Sequence, residues 1–73
     1  MDNTHEILML RLKELRAKRK LSQEELAERA GITSQYLSRL ENGRHDPSLS
    51  VLVKLANALG VKVGKLLDDN KGE

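Results

Sequence analysis

Residues 32–44, ITSQYLSRLENGR, carry the side chains in this chain that have most to offer a partner. Thr33, Ser34, Gln35, Ser38 and Arg39 share the polar face of a helical pattern whose apolar positions, Leu37 and Leu40, point the other way. The set comprises hydroxyls and an amide, which donate and accept, and a guanidinium, which only donates. A helix that only had to stay soluble would carry Glu/Lys pairs one turn apart on such a face. No nucleophile stands beside a base, no glycine loop is built to cradle a phosphate, and His5 and His45 lie far apart with no cysteine to complete a metal site. The chemistry on offer is recognition by hydrogen bonds; catalysis, metals and cofactors are not expected.

The elements that must position this face are short helices. A first helix is expected over residues 4–20, capped by Asn3 or Thr4 with Glu6 completing a capping box, and burying Leu8, Leu12 and Leu15. Leu10 points to its opposite side. Ser22 with Glu25 marks the start of a second helix, 23–30, which buries Leu26, Ala27 and Ala30 and stops at Gly31. Thr33 caps a third, 34–42, ended by Asn42-Gly43. Tyr36 and Glu41 flank its inward stripe. Ser48 caps a fourth, 49–59, with Leu49, Leu52, Leu55, Ala56 and Leu59 as a broad apolar stripe. A short fifth helix, 63–67, and a polar tail, 68–73, complete a single small domain over residues 1–73.

The bulk composition agrees. Apolar residues make up 38% and charged residues 33%, so the chain is expected to be soluble and globular, with an aliphatic core because Tyr36 is the only aromatic side chain. There is no cysteine, no basic run at the start to resemble a signal peptide, and no apolar run longer than Ile7 to Leu10, so a cytoplasmic protein without a membrane span is expected. Net charge is only +2, but residues 11–20 hold six Lys/Arg against one Glu, and residues 7–67 hold twelve against six acids. That imbalance suits a polyanion, although on charge alone a solvated helix face is the favoured reading.

Two short helices joined by Gly31-Ile32-Thr33 form a helix-turn-helix pattern, in which the second helix enters the DNA major groove. Base edges there present donors and acceptors that Gln, Ser, Thr and Arg can read; Gln35 pairs best with adenine, and Arg39 with guanine or phosphate. LSQEELA, the G-I-T turn, LSRLENG and LANALGV occur in order, and over residues 8–67 the chain resembles the lambdoid phage repressor and Cro family of xenobiotic-response-element-type regulators. The resemblance implies an all-α, five-helix lambda-repressor-like domain. It implies base contacts from Thr33, Ser34, Gln35, Ser38 and Arg39, and phosphate contacts from Gln23, Asn42, Gly43 and Arg44. For Tyr36, packing against the second helix and a phosphate hydrogen bond stay open.

The same resemblance implies a partly buried ion pair between Arg16 and Glu41, and a dimer contact through Val61, Val63, Leu66 and Leu67. The function that follows is a sequence-specific double-stranded DNA-binding regulator, working as a homodimer on a palindrome and, at some promoters, touching RNA polymerase. A protein-binding adaptor or antitoxin on the same scaffold is the alternative. Its mark would be an exposed apolar patch.

Overall fold

The computed structural model describes residues 4–67, the side chain of Thr4 excepted, and contains five helices: α1 (Thr4–Lys18), α2 (Gln23–Ala30), α3 (Ser34–Glu41), α4 (Leu49–Leu59) and α5 (Val63–Leu67). The expected Asn3 cap and the tail 68–73 lie outside the described residues. The inner helices begin and end where the chain's caps dictate. Ser22 Oγ accepts from Glu25 N while the Glu25 carboxylate accepts from Ser22 N, so two otherwise unpaired amides of α2 are satisfied. Thr33 Oγ1 accepts from Tyr36 N and Ser48 Oγ from Val51 N in the same way.

Gly31 closes α2 in the left-handed region at φ 74°, and Ile32 N donates back to Ala27 O, which turns the chain sharply into Thr33. α1 stops earlier than its run of helix-forming basic residues predicts. Lys20 takes the left-handed conformation, φ 57°, and Leu21 N donates to Arg16 O at 3.1 Å. A glycine-type termination is thus made by a lysine, whose Cβ disfavours that conformation.

Leu8, Leu12, Leu15, Leu26, Leu37, Leu40, Leu52, Leu55, Leu59 and Leu66 meet in one core, with Ala27, Ala30 and Ala56 where helices approach closely. α4 packs against α2 and α5, and α1 against α3 and α5. Two leucines differ from their expected places. Leu49, the first residue of α4, is 70% exposed, so its place on the apolar stripe is not buried. Leu66, expected on a dimer surface, is fully buried within this chain. In a helix of five residues, one of two adjacent leucines must turn inward, and the core takes Leu66 and leaves Leu67 outside.

Candidate nucleic-acid interface

The inner edge of α3 is fixed by a charged network. Glu41 is 2% exposed, and its carboxylate accepts from Arg16 Nε at 2.8 Å, Arg16 Nη2 at 3.0 Å and Gln23 Nε2 at 2.8 Å. Arg16 Nη1 donates to Leu21 O at 3.0 Å. The planar fork of arginine matches the two carboxylate oxygens, and the added amide and carbonyl partners make burial of the charges tolerable. One carboxylate at the end of α3 is thereby tied to α1, to the α1–α2 turn and to the first residue of α2. Arg16 spends three of its N–H groups inside the protein, and so is a structural cation.

Gln23, which the resemblance assigns to a phosphate, uses one amide hydrogen on Glu41. Its other amide hydrogen stays available at the start of α2, where the unpaired backbone N–H groups favour an anion.

The outer face of α3 is arranged differently. Thr33, Gln35 and Arg39 are exposed, and Ser34 and Ser38 are half-buried. Among the described residues, Ser34, Gln35 and Arg39 make no side-chain hydrogen bond or ion pair. Ser38 Oγ accepts from Asn42 Nδ2 at 3.4 Å, a weak contact. The Thr33 hydroxyl accepts its capping bond and keeps its hydrogen for a partner. Ser34, Gln35, Ser38 and Arg39 therefore lie along the side of α3 away from Leu37 and Leu40, which are locked to the core, with Thr33 at the helix's N-terminal end.

Asn42 follows as the cap, and Gly43, φ 73°, turns the chain toward exposed Arg44. Tyr36 packs partly against the core and sets its ring edge-on to His45, centroids 4.9 Å apart.

Half of the basic run before α2 turns out to be occupied. Arg11 Nη1 pairs with Glu14 at 3.0 Å, Arg16 with Glu41, and Arg19 Nε donates to Leu59 O at the end of α4. Lys13, Lys18 and Lys20 are left at the exposed surface. Charge counting along the sequence could not separate these roles, because two of the three partners lie far away in the chain. Among the described residues no cluster of His, Cys, Asp and Glu could hold a metal ion, and no helix is long and apolar enough to cross a membrane.

Residues 12–66 match the Helix-turn-helix family. The chain belongs to this family, in its phage-repressor and Cro branch. The family's members are DNA-binding transcriptional regulators, and solved structures show the same fold. The chain is 42% identical over 59 residues to the immunity repressor protein of Bacillus phage phi105, covering 81% of this chain and 41% of the repressor. It is thus similar to somewhat less than half of that protein. The hypothetical transcription factor NHTF from Neisseria superimposes with a TM-score of 0.87 at 35% identity, over 90% of this chain and 76% of that one. The restriction-modification controller protein C.AhdI from Aeromonas hydrophila gives a TM-score of 0.80 at 38% identity, over 82% of this chain and 91% of that one.

Proposed function

We propose that this chain is a sequence-specific double-stranded DNA-binding regulator that binds a palindromic operator as a homodimer. The observation that carries the reading is the division of α3. Its inner side is anchored by Leu37, Leu40 and Glu41, while the side-chain hydrogen-bonding groups of Ser34, Gln35 and Arg39 have no partner among the described residues.

Inserted in a major groove, that face offers Gln35 to adenine and Arg39 to guanine or phosphate, with Thr33, Ser34 and Ser38 at neighbouring base edges. Gln23, Asn42, Arg44, the Tyr36 hydroxyl and the backbone at Gly43 grip the phosphates beside it. One such helix reads few base pairs. Two, about 34 Å apart across a two-fold axis, read one half-site per turn of the duplex. Leu67, 40% exposed, with half-buried Val61 and Val63 beside it, is the surface for the second copy; buried Leu66 takes no part. Such a protein works in the cytoplasm, on the nucleoid. Bound over a promoter it excludes RNA polymerase, and bound upstream it stands where it can touch the polymerase.

The adaptor or antitoxin reading draws on exposed Leu49 and Val53, one turn apart on α4. It predicts that the polar groups of α3 are dispensable.

Selection from a pool of random duplexes at low salt, followed by a salt series on the selected sequence, tests the two readings. The DNA reading expects an enriched palindrome and affinity that falls steeply with salt as phosphate counterions are released. Arg44→Ala should weaken all duplexes alike and lower the salt slope by about one. An absence of binding to any duplex would sink the DNA reading.

A further inference from the structure

Gly31, Gly43 and Gly60 close α2, α3 and α4 in the left-handed conformation, at φ 74°, 73° and 74°. The hydrogen bonding is the same at each. The residue after the glycine donates to the carbonyl five residues before it: Ile32 N to Ala27 O at 3.0 Å, Arg44 N to Arg39 O at 2.8 Å and Val61 N to Ala56 O at 2.9 Å. A closure of this kind is commonly sealed by an apolar contact between those two positions. The ends of α2 and α4 have the residues for it: Ile32 and Val61 pack against the core that holds Ala27 and Ala56.

The end of α3 does not. Arg39 and Arg44 stand at the same two positions, both exposed, and like charges cannot supply the seal. The space beside the three glycines differs to match. A Cβ at Gly31 or Gly60 would meet nothing within 4 Å, whereas at Gly43 it would stand 2.6 Å from Met9 Sδ and 3.3 Å from Met9 Cε. The thioether of half-buried Met9, on α1, fills the place that a side chain at position 43 would take. An unbranched, polarizable side chain is well suited to so irregular a gap.

We propose that Met9 is a positioning residue for the phosphate-gripping turn: it supplies from α1 the apolar contact that the end of α3 cannot make for itself, and so leaves positions 39 and 44 to arginines that serve DNA. The proposal rests on the DNA-binding reading above. An apolar residue at position 44 would seal the turn but could not hold a phosphate; a seal from another helix allows a guanidinium there. A turn already fixed in the free protein loses less conformational freedom when DNA arrives, so the contact is felt as affinity.

The test is a double-mutant cycle on affinity for the selected duplex. Met9→Ala should bind that duplex and random duplexes alike about two- to tenfold more weakly, the loss from leaving one long side chain unordered before binding, with its base preference unchanged. Arg44→Ala should cost a smaller factor in Met9→Ala than in wild type, because the guanidinium is already out of place. Gln35→Ala, the control, should cost the same factor in both. A fold that was merely less stable would leave both factors as they are in wild type. Met9→Leu, which nearly keeps the apolar volume, should recover most of the affinity. Wild-type affinity in Met9→Ala, no recovery in Met9→Leu, or equal factors for Arg44→Ala in the two backgrounds would each overturn the proposal.

Amide exchange in the free protein supplies an arm that needs no DNA. The Arg44 amide should lose protection in Met9→Ala, while those of Ile32 and Val61, which close the equivalent turns, keep theirs. Unchanged protection of Arg44 would overturn the seal itself. If Arg44 lost protection as expected but wild type bound no duplex, the DNA reading would fall and the sealing of the turn by Met9 would stand.

Discussion

The two sides of α3 put the same kinds of group to opposite uses. On the inner side, one carboxylate collects hydrogen bonds from Arg16 and Gln23, and two leucines are buried completely. On the outer side, an amide, a guanidinium and a serine hydroxyl have no side-chain partner among the described residues. Polar groups in a folded protein either meet a partner inside it or are left to water and ligands. The inner side is thus where changes cost stability, and the outer side is where they cost recognition. A residue that cost both equally would break the division.

The largest effect is expected at Glu41. Glu41→Ala strands the Arg16 guanidinium and removes the acceptor of Gln23, at a cost of about 3–5 kcal/mol for a buried pair. Thermal melting should fall by more than about 10 °C in a domain of this size. Exposed Glu28→Ala should stay within about 0.5 kcal/mol of wild type. Equal melting temperatures for the two variants would contradict a stabilising role for the network.

Next come Gln35→Ala and Arg39→Ala. Each should leave melting nearly unchanged and remove about 1–3 kcal/mol of discrimination between the right base pair and a wrong one. Competition binding with single-substitution operators reads that quantity. Gly31→Ala is smaller. No atom crowds the space a Cβ would fill, so the cost is the left-handed backbone alone, about 1–2 kcal/mol, read by denaturant midpoint. Smallest is Lys20→Gly, which relieves the same conformation at the end of α1 and should stabilise by up to about 1 kcal/mol.

Where the chain's own punctuation is explicit, the fold is legible in it. Ser22 with Glu25, Gly31, Thr33 and Ser48 are local signals: α2 spans the residues they predict, α4 begins where Ser48 predicts, and α3 is one residue shorter than expected. The end of α1 is not legible, because Arg19 and Lys20 are good helix formers and the stop comes from a lysine in a glycine's conformation. Leu49 and Leu66 escape prediction because periodicity says which residues share a face but not whether the fold covers that face. The polar face of α3 stands out because it lacks the charge pairs of an ordinary exposed helix.

Selection of binding sites by wild type and by Gln35→Ala, from the same random duplex pool and with melting recorded for both, tests the division of α3 most directly. The account predicts proteins of equal stability, with wild type enriching one palindrome and the variant losing preference at a symmetric pair of positions within it. An unchanged selected sequence for Gln35→Ala would contradict the claim that the outer face of α3 reads bases.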